Sequence, residues 1–253
     1  MTENMKTQKT APPIQVKRLR KSFGEQKVLD GVDLEVKPGE TLSVLGQSGT
    51  GKSVLLKIIV GLQQPDSGSV CIQGSETVGL SRNDLTEIRK KIGFLFQNSA
   101  LYDSLTVEEN VAFPLERLGN MTVVERKKRV RELLSTVGME EDLDKLPSQI
   151  SGGMQKRVGL ARAIALSPDI LLFDEPTAGL DPITASEIDG LILKMRKERN
   201  IASIVVTHDL PSARAVSDRL AVMRKGRILL QGSFKDLQES KDEFVVQFLN
   251  RGE

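Results

Sequence analysis

The chain has 253 residues, long enough to bury a sizeable core, and its 36 basic and 34 acidic side chains leave a formal net charge of only +2. That balance argues against a nucleic-acid-binding surface dominating the molecule. The single cysteine, Cys71, excludes an internal disulfide, suits a reducing cytosol and reads as core filler.

Residues 1–13 read as a disordered tail ending in Ala11-Pro12-Pro13, too polar for a signal peptide. Short alternating segments at 14–17, 27–29 and 32–36, with a turn at Pro38-Gly39, predict a small antiparallel sheet. Residues 41–45 form a buried strand that runs straight into a glycine-rich loop, and 52–60 have helical spacing. A strand over 92–96 follows. From about 98 to 165 the pattern turns almost wholly helical, with three- and four-residue apolar spacing at 107–113, 122–136 and 154–165. The basic run Arg126-Lys127-Lys128-Arg129, with Arg131, is expected on a solvated helix face, with contact to anionic lipid or a partner as the alternative. Strands return at 170–173, 203–207 and 219–223 with helices between, the pattern of a parallel βαβ sheet. These elements predict an α/β fold over 14–253 in which the block at about 98–165 is a helical insertion. No apolar run approaches the ~18 residues of a membrane span.

Gly46-Gln47-Ser48-Gly49-Thr50-Gly51-Lys52-Ser53 matches the phosphate-binding loop pattern G-x-x-x-x-G-K-[ST] in full, between the strand and helix that such a loop requires. Gly46, Gly49 and Gly51 let the backbone turn its N–H groups toward phosphates, and the helix N-terminus adds about half a positive charge. Lys52 supplies a cation for the β- and γ-phosphates, and the Ser53 hydroxyl a ligand for Mg²⁺. Asp174, ending an apolar strand, is a second Mg²⁺ ligand, and Glu175 beside it can polarise an attacking water. Ser151-Gly152-Gly153 reads as a helix N-cap that also offers a hydroxyl and free amides to an anion. His208, the only histidine, follows a strand and has no cysteine or histidine cluster around it to hold a metal.

Taken in order, these segments resemble the ATP-binding cassette (ABC) family over residues 14 to about 232. Ser151-Gly152-Gly153 resembles its signature motif, with Ile150 where Leu is usual and Met154 where Gln is usual. The resemblance implies a RecA-like parallel-sheet core, an N-terminal antiparallel β subdomain and an inserted α-helical subdomain. It further implies that ATP with Mg²⁺ is hydrolysed by a homodimer, in which the signature of one copy contacts the γ-phosphate bound by the other. On this likeness Gln97 senses Mg²⁺ and the water, and His208 touches the γ-phosphate. Asp181, in Gly179-Leu180-Asp181, lies in the loop that crosses the dimer interface, and Phe23 stacks on adenine. The site set is therefore Phe23, Gly46, Gln47, Ser48, Gly49, Thr50, Gly51, Lys52, Ser53, Gln97, Ser151, Gly152, Gly153, Asp174, Glu175, Asp181 and His208.

Within the family, one cassette without a coiled-coil or zinc insertion, and without a second cassette, resembles the ATPase of a membrane transporter more than a soluble ABC ATPase acting on DNA or ribosomes. A P-loop GTPase is disfavoured by the lack of an Asn-Lys-x-Asp motif. The stretches 94–103 and 106–115, Ser151-Gly152-Gly153-Met154 with Lys156-Arg157-Val158, and Val246-Gln247-Phe248-Leu249 are similar to the ATPases of Mla-type, MCE-associated phospholipid transporters. They are similar to polar amino-acid importer subunits as well. The lipid likeness implies a permease dimer, an MCE-domain protein and a STAS-domain protein as partners, no nucleic acid, and a peripheral place on the cytoplasmic face of the inner membrane. A chain ending at Glu253 is expected to lack the longer C-terminal extension of some relatives.

Overall fold

The computed structural model describes residues 11–250, the side chains of residues 198 and 199 excepted; most of the tail expected over 1–13, namely 1–10, lies outside them. The first two strands, β1 (Ile14–Phe23) and β2 (Gln26–Val36), make an antiparallel pair. Both are longer than the alternation suggests. The two segments expected at 27–29 and 32–36 join into one strand, which passes Gly31 at φ +79°, while β1 carries a register shift around Arg18 at φ +47°. Such bulges interrupt the period-2 pattern without ending the strand.

β3 (Thr41–Leu45) leads through the glycine loop to α1 (Lys52–Ile59). β4 (Ser67–Ile72) and β5 (Ser75–Glu76) then complete a four-stranded sheet of order β2-β1-β4-β5. Cys71 corrects the expectation of a core thiol. Val70 and Ile72 take the inward face of β4, so alternation leaves Cys71 half-buried, its Sγ 3.6 Å from Glu76 Oε2.

After α2 (Arg82–Lys90) and β6 (Ile92–Leu95) come α3 (Val107–Leu118), α4 (Val123–Thr136) and α5 (Gly152–Ala163). Residues 98–106, expected to be helical, are turns and irregular backbone. Two side chains, one buried and one half-buried, hold them in that form. Asn110, fully buried on α3, accepts from Tyr102 N–H and donates to the carbonyls of Tyr102, Leu105 and Thr106. Arg162 on α5 donates to the carbonyls of Ser99 and, at 2.8 Å, Ala100, two residues at positive φ. On α4 the basic run is largely solvated: Lys127, Lys128 and Arg131 are exposed, while Arg126 reaches Glu116 at 3.1 Å and Arg129 donates to Ser167 Oγ.

The rest alternates: β7 (Ile170–Asp174), α6 (Pro182–Arg199), β8 (Ala202–Thr207), α7 (Leu210–Val216) and β9 (Arg219–Arg224). β10 (Arg227–Gly232), α8 (Phe234–Gln238) and α9 (Glu243–Asn250) follow. The second sheet has the order β10-β9-β3-β8-β7-β6, parallel throughout except for β10 at its edge. Its inner strands are buried on both faces. Ile170 and Leu172 of β7 pack toward α1 and the small sheet, while Leu171 and Phe173 pack toward α3, α5 and α6. This double burial explains why 170–173 is a continuous apolar run.

Parallel strands end at one edge. The chain leaves β3 into Gly46, β6 toward Gln97, β7 into Glu175 and β8 into His208, so four distant segments converge there.

Candidate nucleotide site

Gly51 sits at φ +103° and caps α1, and a Cβ there would come within 2.7 Å of the Val28 carbonyl. A Cβ on Gly46 would approach the Met223 carbonyl to 2.6 Å. Both positions need glycine for the loop to turn between β2 and β9. The loop opens on a cavity of about 310 Å³ lined by Ser48, Gly49, Gly51, Lys52, Ser53, Gln97, Glu175 and His208, with Val28 and Val54.

Lys52 is buried, and its ammonium donates to the carbonyls of Gly46 (2.7 Å) and Gln47 (3.1 Å) and lies 3.5 Å from Glu175 Oε1. Burial pulls its pKa below the usual lysine value, and the attraction of Glu175 and Asp174 opposes that. Ser53 Oγ donates to Asp174 Oδ1 at 2.7 Å. Burial pushes the Asp174 carboxyl upward, the Ser53 hydrogen bond pulls it down, and the neighbouring Glu175 charge pushes it up again. Ser53, Asp174 and Gln97 offer hard oxygen donors, which suits Mg²⁺.

Glu175 is held at every polar atom. Its N–H donates to Val206 O at 2.9 Å, and its carbonyl accepts from Lys156 Nζ at 3.1 Å. One carboxylate oxygen faces Lys52, and the other lies 2.9 Å from His208 Nδ1. With the proton on Nδ1 the imidazole donates to that oxygen, which leaves Nε2 bare. The residue also sits at φ +49°, uncommon for a non-glycine residue and frequent where geometry is imposed by a site.

The remaining expected residues lie outside this cavity. Ser151 and Gly152 are exposed at the N-terminus of α5, where Ser151 Oγ accepts from Met154 N–H. Gly153 is buried against α6, where a Cβ would meet Thr184 Cγ2 at 2.5 Å. Asp181 caps α6, its Oδ1 accepting from the N–H groups of Ile183 and Thr184. Phe23 is 48% exposed, with the Lys21 ammonium 5.5 Å from its ring centroid. Gln47 and Thr50 face a neighbouring cleft with Arg224, Phe244 and Phe248. The sequence reading missed Val28, Val54 and Lys156. Lys156 gave no signal because its partners are backbone carbonyls, which no side-chain motif records.

A family model described as ABC transporter matches residues 29–178. The chain belongs to the ABC transporter family. The methionine import ATP-binding protein MetN of Corynebacterium efficiens is 41% identical over 88% of this chain and 62% of that protein. The probable ribonucleotide transport ATP-binding protein mkl of Mycobacterium leprae is 40% identical over 94% of this chain and 68% of that protein. The chain thus spans about two thirds of the length of these curated relatives. Among solved structures, a dimeric post-hydrolysis state of the ATP-binding cassette MJ0796 bound to ADP and Pi matches with a TM-score of 0.81 and 38% identity. That match covers 87% of this chain and 98% of that one. Cassettes of this family are ATPases that bind ATP with Mg²⁺, and the α/β fold with its two sheets and helices is theirs.

Proposed function

We propose that this cassette is the ATP-hydrolysing subunit of a membrane transporter, working as a pair of copies with a permease on separate chains. The observation that carries this reading is the split of the polar groups. Lys52, Ser53 with Asp174, Gln97, Glu175 and His208 converge on one cavity, whereas Ser151 and Gly152 present a free helix N-terminus elsewhere on the surface. Mg²⁺–ATP supplies the scissile phosphoanhydride and its charge-neutralising cation. Gly46, Gln47, Ser48, Gly49, Thr50 and Gly51 wrap the phosphates with backbone N–H groups, and Lys52 balances their charge. Ser53, Asp174 and Gln97 provide the metal's oxygen ligands. Glu175 orients and polarises the water, and the His208 ring holds the carboxylate from behind. Phe23 offers its face to the base. Ser151, Gly152 and Gly153 complete the site of the second copy, with Asp181 at the seam between copies. That the MJ0796 cassette is dimeric and bound to ADP and Pi supports the pairing. In domain terms, residues 14–253 form the ATPase unit and about 98–165 its helical insertion.

For cargo, we infer phospholipid, from the resemblance to Mla-type ATPases at 94–103 and 106–115; an MCE-domain protein, a STAS-domain protein and a place on the cytoplasmic membrane face follow from it. A second reading, import of a polar amino acid, is favoured by the MetN relative. Reconstitution with the partner permease separates them. Phospholipid cargo predicts ATPase activity that responds to phospholipid and the MCE partner. Stimulation by an amino acid with its binding protein establishes the importer instead.

A further inference from the structure

Five residues after Ser151, α5 carries Lys156, which is only 4% exposed. Its ammonium donates to the carbonyl of Gln97 and, at 3.1 Å, to that of Glu175. Burying an ammonium costs several kcal/mol unless it is paired and hydrogen-bonded. The compensation here is two carbonyls together with the nearby charges of Asp174 and Glu175, which oppose the downward pull of burial on its pKa. Both bonds go to backbone oxygens of residues that line the nucleotide cavity. A single side chain therefore joins three segments: the helix with the signature, Gln97 two residues past β6 and Glu175 directly after β7.

We propose that Lys156 is a positioning residue for ATP hydrolysis, fixing Gln97 and Glu175 to the helix that bears Ser151. The inference rests on the roles given above to Glu175 and Ser151. Over five residues an α-helix rises about 7.5 Å, a rigid lever of a little more than one turn. A displacement of Ser151 on meeting the second copy's nucleotide is carried along this lever to the backbone of Glu175 in its own chain. The position of the water-polarising carboxylate is thereby coupled to the position of the same chain's signature. Each site reports the closure of the other through one lysine. The positive φ of Glu175 fits this role, because its unusual backbone is secured on one side by Val206 and on the other by Lys156.

The test compares full-length Lys156→Met, which keeps the chain length but removes the donors, with Lys156→Gln, which keeps an N–H donor on a shorter arm. Steady-state kcat and KM for Mg-ATP are measured beside the Kd of a fluorescent ATP analogue, with Glu175→Gln run in parallel. Misplacing a catalytic group by about 1 Å costs on the order of 10²-fold, so Lys156→Met should lose about that much kcat with analogue Kd within about 3-fold of wild type. Lys156→Gln should recover part of the loss. Unchanged kcat in Lys156→Met, or kcat and analogue binding lost together in both variants, overturns the proposal. If Lys156→Met gives no cooperative unfolding transition, Lys156→Gln is judged alone by the same split, with an intermediate kcat loss expected. A Glu175→Gln protein at wild-type rate overturns the site reading and this proposal together, whereas an inactive Glu175→Gln beside a fully active Lys156→Met overturns this proposal alone.

Discussion

Glu175 and Lys52 face each other at 3.5 Å with little solvent around either, yet their replacement has opposite consequences. Glu175→Gln keeps the size and the contacts to His208 and Lys156 while removing the charge that polarises water. Hydrolysis should fall by about 10²–10⁴-fold, the usual worth of a general base, with ATP binding and the ATP-held dimer preserved. Turnover at the wild-type rate would remove Glu175 from that role. Lys52→Ala takes away the phosphate cation itself, so a filter-binding or fluorescence titration should show weakened ATP binding and no ATP-driven dimer. These residues could be picked from the sequence because each follows a strand at a recognisable spacing. Lys156 could not, because a lysine inside a helix looks like any solvated one until the fold turns it inward against two carbonyls.

Helices α6 and α7 are joined through a buried acid: Ser212 Oγ donates to Asp189 Oδ1 at 2.7 Å. Burial raises the Asp189 pKa, the Ser212 bond lowers it, and Asp209 raises it further. A carboxyl whose folded pKa lies above its unfolded value, about 3.9, binds its proton more tightly in the folded state, so its contribution to stability falls as pH rises through that interval. The penalty is therefore larger at neutral pH than in acid. Asp189→Asn, which can still accept the Ser212 hydroxyl, should therefore raise Tm at pH 7 by about 2–4 °C per kcal/mol relieved, with the two proteins converging near pH 4. A lower Tm for the variant at pH 7 would show that the ionised form is the one the fold stabilises. At this scale the sequence was legible where burial is two-sided or helical spacing is strong, as in β3, β7, β8, α4 and α5. It was opaque for α2, which buries only Leu85, and for β10, an edge strand with no residue fully buried. It placed the start of the helical block at about 98, whereas the first helix begins at Val107, because apolar spacing does not show that Asn110 and Arg162 bond the carbonyls of the preceding segment.

At the scale of the assembly, the exposed Ser151 and the enclosed Lys52 make a prediction about pairs. Lys52→Ala and Ser151→Arg should each silence a homodimer, the first by removing the phosphate cation and the second by filling the anion site. In a mixed pair, one site combines the intact loop of the Ser151→Arg chain with the intact signature of the Lys52→Ala chain. Random mixing puts about half of all dimers in this state, so combining two inactive proteins, with permease if pairing needs it, should restore ATPase activity or ATP-driven dimer formation. No recovery, with mixed dimers shown to form, would mean that the signature does not act across the interface. The strand order carries a consequence of a different kind, for a shortened chain. β8 lies between β3 and β7, although it follows both in sequence. The Ser53–Asp174 bond joins positions 121 residues apart, and the strands that lead to them are bridged by β8, which pairs with β3 on one side and β7 on the other. A cassette truncated before residue 202 carries every loop residue and both carboxylates, yet lacks the strand that bridges β3 to β7. The topology thus ties the assembled site to chains that extend through β8, and a truncation before that strand should show no ATPase activity.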